Sequence, residues 1–158
     1  MKQQYPHYFC KPVPVFGDDT AQLLIVGLAP GLHGANATGR PFTGDASGEW
    51  LFRSLHKFGF STHPVSNADD QLQLNNCRIT NAVKCLPPQN KPLNTEIVNC
   101  NAFFKDELQG LPDNAIVLAL GTIAHNAVLR ATDNRLSAYK FGHAQVHQLE
   151  RFVLLDSY

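Results

Sequence analysis

The sequence predicts an α/β domain on a mostly parallel sheet of four strands. Three observations carry that prediction. Short apolar runs recur at residues 23–28, 78–83, 115–120 and 152–155, the first and third ended by glycine or proline. Such runs read as strands buried on both faces. Helical patterns lie between them, and strand–helix alternation implies right-handed crossovers and parallel pairing. No internal repeat, low-complexity tract or linker interrupts the chain, so residues 1–158 read as one domain.

Residues 1–20 are aromatic and proline-rich, with Tyr5, Pro6, Tyr8, Phe9, Pro12, Pro14 and Phe16, and read as an extended arm lying on the domain. The first strand is cut off by Ala29, Pro30 and Gly31. Residues 31–45 carry glycine, asparagine and threonine without apolar period and read as a long loop. Ser47 is expected to cap a helix carrying Trp50, Leu51, Leu55 and Phe58. Residues 61–75 read as an exposed polar connection. The second strand is followed by a loop with three prolines, Pro87, Pro88 and Pro92. Asn94 or Thr95 starts a helix through Ile97, Phe103, Phe104 and Leu108. The third strand breaks at Gly121 into a helix over residues 122–130. The loop after the fourth strand is expected to begin at Asp156. Ligands of such sheets bind at the carboxyl ends of the strands, where the loops 30–45 and 84–90 fall.

Composition narrows the classes. The formal net charge is zero, which argues against binding nucleic acid through bulk charge, although a neutral chain can gather its bases on one face. No apolar run approaches the roughly 20 residues of a membrane span. The first residues lack the apolar stretch of a secretory signal. The four cysteines, Cys10, Cys77, Cys85 and Cys100, are therefore expected as thiols or metal ligands rather than disulfides. A cytoplasmic, membrane-free protein is the expectation.

The densest chemical signal is the loop from Gly27 to Asp45. Glycines let main-chain amides approach a ligand closely, which suits an anion or a carbonyl oxygen. A phosphate-binding turn, or merely a tight strand exit, is the plain alternative. Asp45 reads either as a helix N-cap or as a catalytic carboxylate. Phe42 reads as core or as a stacking platform, and Asn81 as a ligand-pairing amide or a support for loop backbone. Asn90 lies on the second site-facing loop. His33, Asn36 and Arg40 are polar motif residues suited to phosphate or pocket contacts. An unrelated nucleotide-binding enzyme ranks low, because the chain has neither a lysine–hydroxyl phosphate loop nor a dinucleotide glycine fingerprint.

The run Gly27-Leu28-Ala29-Pro30-Gly31, continuing through His33, Gly34, Asn36, Thr38, Gly39 and Arg40 to Phe42-Thr43-Gly44-Asp45, resembles the first motif of the uracil-DNA glycosylase superfamily. Within it the chain is most similar to family 5, the type B enzymes. Lys11-Pro12-Val13-Pro14 and Val83-Lys84-Cys85-Leu86-Pro87-Pro88 extend the resemblance over nearly the whole chain. It implies a three-layer α/β/α, uracil-DNA glycosylase-like fold. It implies hydrolysis of the N-glycosidic bond of uracil, and of other deaminated bases, in DNA flipped out of the stack. Gly27, Ala29, Pro30, Gly31, His33, Asn36, Phe42, Asn81 and Asn90 would contact substrate. Relatives place a carboxylate or amide where this chain has Leu28 and Ala29, so the resemblance assigns the catalytic role to Asp45. Family 4 enzymes use the Asn of a similar Ile-Thr-Asn to pair with uracil. Family 5 often has Ala there, so Asn81 is a departure that sharpens uracil selectivity.

The resemblance also implies that Cys85 and Cys100 are two of four ligands of a [4Fe–4S] cluster. The other two, a Cys-x-x-Cys, fall before residue 1, and a His-containing motif would follow Ser157-Tyr158. The chain is therefore expected to lack both terminal segments. A monomeric, bacterial-type, nucleoid-associated enzyme is expected; the alternative is a non-catalytic nucleic-acid-binding or iron–sulfur remnant of the same fold.

Overall fold

The computed structural model describes residues 2–158. Its strands are β1 (Phe16–Gly17), β2 (Leu23–Gly27), β3 (Cys77–Asn81), β4 (Ala115–Leu120), β5 (Val146–Gln148) and β6 (Phe152–Ser157). Its α-helices are α1 (Ala35–Thr38), α2 (Ala46–Lys57), α3 (Asn94–Gln109) and α4 (Thr122–Ala131). The strands form one sheet in the order β1-β3-β2-β4-β6-β5. The four expected strands are its parallel centre, pairing β3 with β2, β2 with β4 and β4 with β6. The expectation of four strands is corrected to six, because a short antiparallel strand is added at each edge. Two or three residues are too few to show a period-two pattern.

The parallel strands alternate between two cores. Leu24, Val26, Val117, Ala119 and Leu154 face Phe104 and Leu108 of α3 and Ala124, Ala127 and Val128 of α4. Ile25, Cys77 and Ile79 face Phe52 and Leu55 of α2, with Leu72 and Leu74. Successive side chains leave a strand on opposite faces, so an unbroken apolar run needs a helical layer on each side. Three layers follow, as expected.

Two local readings are corrected. The cap of α2 is Asp45, whose Oδ1 accepts from Gly48 N at 2.9 Å, not Ser47. The buried face of that helix is Gly48, Phe52 and Leu55, while Trp50 and Phe58 are 75% and 71% exposed. Residues 61–75 are mostly exposed, as expected, apart from three buried residues. Ser61 bridges Leu74 across a closed loop, and Leu72 and Leu74 are buried beneath it. Of α3, Ile97, Phe104 and Leu108 are buried and Phe103 is exposed. The loop 31–45 contains the single turn of α1.

The N-terminal arm runs across the carboxyl ends of the strands. Phe9 N and Cys10 N each donate at 3.0 Å to Ala37 and Asn36, and Val13 N donates at 2.7 Å to Lys84 O. The arm therefore joins the loop after β2 to the loop after β3. Where it becomes β1, Gly17 has φ +131°, and a Cβ there would come 2.3 Å from Cys77 O.

Cys77 is fully buried on β3, and burial pushes its thiol from the ordinary 9.0 up to about 12. In the unfolded chain it ionises at the ordinary value. As pH rises above 9.0 the unfolded state therefore holds fewer protons, and stability falls. Buried Lys84 acts in the opposite sense, since desolvation lowers its ammonium below the ordinary value against the pull of Glu107. Cys77→Val should flatten the alkaline loss, by up to about 1.4 kcal/mol per pH unit, in urea midpoints measured above that pH. Equal slopes in both proteins would exclude Cys77 as the cause.

Candidate base pocket and active site

The loops after β2 and β3 meet at the carboxyl end of the sheet. Ala82 N donates to Gly27 O at 2.9 Å and Val83 N to Leu28 O at 3.0 Å. This fastening opens a cavity of about 270 Å³ whose lining includes Ala29, Pro30, Gly31, Phe42, Asp45 and Asn81. Asn90 lines the same cavity from the 3₁₀ turn Pro88–Asn90. Leu28, Ser47 and Pro87 also line it; they adjoin the motifs but carried no signal of their own.

Gly27 is the floor. A Cβ there would stand 2.5 Å from both the Phe42 ring and Asn81 Oδ1. Ring and amide therefore converge on one bare Cα, as a stacking surface and a pairing edge must to hold one planar ligand. Asn81 is only 4% exposed, and among the described residues its amide bonds to no other group, so donor and acceptor are open to the cavity. Phe42 has φ +53°, a left-handed conformation costly for a bulky residue, and its carbonyl would lie 1.8 Å from a Cβ on Gly48. The first turn of α2 thus fixes a strained platform from behind. Gly27→Ala is expected to cost about 1–3 kcal/mol by overpacking and to push ring or amide out of place. Urea unfolding checks this, and wild-type stability would show that both side chains yield freely.

The Asp45 carboxylate is divided. Oδ1 caps α2, while Oδ2 lies in the Gly-rich loop, 3.7 Å from a Cβ built on Gly31 and 2.4 Å from one built on Gly34. Only a residue without a side chain at Gly34 admits it. The cap reading of Asp45 is realised through Oδ1, and the residue also lines the cavity.

A second opening of about 580 Å³ adjoins the first and is lined by Leu28, Phe42, Trp50, Leu118 and Tyr158 among others, so Phe42 is the wall between them.

The uracil DNA glycosylase superfamily model matches residues 14–157. The chain belongs to this superfamily. It is 46% identical over 142 residues to a type-5 uracil-DNA glycosylase of Thermus thermophilus, covering 90% of this chain and 65% of the relative. A type-5 enzyme of Pyrobaculum aerophilum is 44% identical over 136 residues, covering 85% and 60% respectively. One of Mycobacterium leprae is 43% identical over 151 residues, covering 94% and 66%. The chain thus spans 60–66% of the length of these curated relatives. The resemblance to the type-5 enzymes holds. Among the described residues no helix is long and apolar enough to cross a membrane.

Not every motif residue of this superfamily member lies at the cavity. Arg40 does not line the cavity and ties the loop to residues 66–70. Its Nη1 donates to Ser66 Oγ and Asn67 O, each at 2.9 Å, and pairs with Asp70, while the guanidinium lies 4.4 Å from the Phe16 ring centre. Asn36 is buried, donates to Leu32 O at 3.4 Å and Cys10 Sγ at 3.7 Å, and does not line the cavity. His33 is exposed beside it, with Nδ1 2.8 Å from the Tyr8 hydroxyl.

Cys85 is exposed and Cys100 half-buried. Burial, then the charges of Cys100 and Glu96, raise the Cys85 thiol. Lys84 N, on the residue before Cys85, donates to Cys100 Sγ at 3.5 Å. Cys10 is held by Asn36, and Cys77 is buried in the α2-side core. Two thiols at one place fit half of a four-thiolate cluster, and neither other cysteine completes it.

Asp156 is corrected from the first residue of a loop to a buried residue inside β6. It accepts from His125 Nδ1 at 2.7 Å, His147 Nε2 at 2.9 Å and Gly142 N at 3.2 Å. One ligand atom of each of the three side chains lies within 4.8 Å of the others, as a metal site would require. The nitrogen–oxygen separations are hydrogen-bond distances, shorter than between two ligands of one tetrahedral zinc at about 2.0–2.1 Å each. The group is a hydrogen-bonded clasp joining α4, β5 and β6. Nothing in the sequence announced it, because its members lie 9 and 31 residues apart with no motif between them.

Proposed function

We propose that this chain carries the base pocket and catalytic carboxylate of a type-5 uracil-DNA glycosylase. The observation that supports this best is the convergence of Phe42, Asn81 and Asp45 on one cavity within the region shared with the superfamily. A uracil turned out of the duplex stacks on Phe42 and sits above Gly27. Asn81 donates its amide N–H to a uracil carbonyl and accepts from the ring N–H, a pairing that cytosine does not match. Asp45 Oδ2, the oxygen not used by the helix cap, faces the sugar. There it stabilises the cation that develops at C1′ and orients the attacking water. The C1′–N bond breaks with its electron pair on the base, the water oxygen bonds to C1′, and the water proton ends on the base. Asn90, Ala29, Pro30 and Gly31 shape the rim, and His33 and Asn36 support the loop that carries them.

Cys85 and Cys100 would hold two positions of a [4Fe–4S] cluster; bound there, it would tie the proline loop to α3. We place the activity in the cytoplasm on uracil-containing nucleoid DNA, with the chain acting as a monomer. The test is incubation with a uracil-bearing oligonucleotide, followed by alkaline cleavage of abasic sites. Strand cleavage that requires uracil is expected. Its complete absence would leave a non-catalytic DNA-binding protein.

A further inference from the structure

The N-terminal arm carries chemistry that the base pocket does not use. Between residues 2 and 44 the only carboxylates are Asp18 and Asp19. Both lie at the amino-terminal end of the sheet, away from the cavity: Asp18 is bound by Thr20 and Asn76, and Asp19 pairs with Arg78. The cavity side of this electrically neutral chain therefore receives bases without acids from the arm. Lys11 is exposed, between the residues that pair with Asn36 and with Lys84, and binds no acceptor among the described residues. Lys2 donates to the carbonyl of Tyr8.

Beside it, Tyr5 and Tyr8 stack at 4.7 Å and the His33 ring stands edge-on to both, at 5.9 and 6.0 Å. The Tyr8 hydroxyl lies 2.8 Å from His33 Nδ1. With that hydroxyl donating to Nδ1, the ring's N–H is on Nε2. The aromatic wall holds the ring's plane and the hydroxyl sets its tautomer. The result is an N–H donor on the loop that forms the cavity, and Lys11 follows Cys10 on the arm segment that pairs with Asn36 of that loop.

We infer that Lys11 and His33, with Tyr8 as the positioning residue, grip a backbone phosphate of the DNA strand beside the extruded nucleotide. This rests on the glycosylase reading for its partner, but the contact is sequence-independent and so can be tested without uracil. Phosphate contacts fix register and orientation while base contacts specify. A chain of zero net charge needs such local contacts to hold duplex DNA at all.

The test is fluorescence anisotropy with a short uracil-free duplex across a salt series. Lys11→Ala should lower the slope of log affinity against log salt by about one, the release of one phosphate's counterion. Lys57→Ala, at the far end of α2, should leave the slope at its wild-type value. His33→Ala should weaken binding by roughly tenfold, as for loss of a hydrogen bond to a charged group, with the slope unchanged. Tyr8→Phe should weaken binding in the wild-type background and have no effect in the His33→Ala background. A Lys11→Ala slope equal to that of Lys57→Ala would overturn the inference, as would Tyr8 and His33 effects that simply add. Uracil excision run in parallel separates the readings. Excision without any arm effect sinks the phosphate grip alone, and an arm effect without excision sinks the glycosylase reading alone.

Discussion

Asp45→Asn is expected to lower uracil excision by roughly 10²–10³-fold, the scale of losing one preorganised charge-stabilising group, while leaving stability close to wild type. The two oxygens of the residue carry separate duties. Oδ1 accepts from Gly48 N as the cap of α2, and asparagine caps a helix about as well as aspartate. Oδ2 is the oxygen lodged against Gly34, and in asparagine that side of the group loses its negative charge. Asp45→Ala removes both functions and should add a stability loss of about 1 kcal/mol. Single-turnover excision and urea unfolding, measured on both variants, separate chemistry from capping. An Asp45→Asn protein that excises uracil at the wild-type rate would show that the carboxylate serves the helix alone.

Asp156→Ala should destabilise the protein by about 3–5 kcal/mol, the usual cost of removing one partner from a buried charged network. Asp156 is 2% exposed and receives two imidazoles and a backbone amide. His125 has Tyr139 O at 3.1 Å from its other nitrogen, so both ring nitrogens face acceptors, and without the carboxylate one loses its partner in the interior. With total stabilities of about 5–15 kcal/mol for domains of this kind, the loss would leave little margin. Asp156→Asn retains an acceptor for one imidazole and should lie between. Equal urea midpoints for wild type and Asp156→Ala would mean that the clasp contributes nothing. Asp156 does not line the Asp45 cavity, so a thermal or urea loss without a matching loss of excision in the surviving folded fraction is expected.

How far the sequence spoke depended on the range over which each signal acts. β2 and β4 were legible because their apolar runs are unbroken, although only β2 is buried on both faces: in β4 Ile116 is exposed and Leu118 and Leu120 are half-buried. β1 and β5 were not, since their two and three residues take their conformation from a neighbour rather than from their own pattern. In α2 the helix was legible and its face was not: Trp50 and Phe58 mimic the spacing of a buried stripe, yet the residues against the sheet are Phe52 and Leu55. At the site, the motif from Gly27 to Asp45 marked the cavity lining because its glycines serve local geometry. Arg40 belongs to the same motif, but its ties were not legible, because its partners Asn67 and Asp70 lie 27 and 30 residues downstream. The Asp156 clasp is tertiary throughout and left no trace in spacing.

The backing of Phe42 has a consequence for how the recognition of bases can diversify. The ring's position is set jointly by the bare Cα of Gly27 in front and that of Gly48 behind, with a left-handed backbone between them. No one of these three positions can drift alone without disturbing a strand end or a helix start. Asn81, at the end of β3, and Asn90, from the 3₁₀ turn that follows it, carry no such dependence on the first turn of α2. Lineages or laboratory selections that widen or narrow the range of damaged bases should therefore accumulate their changes at residues 81 and 90. On the proposed reading Phe42 is a fixed plane against which the hydrogen-bonding edge could change one residue at a time.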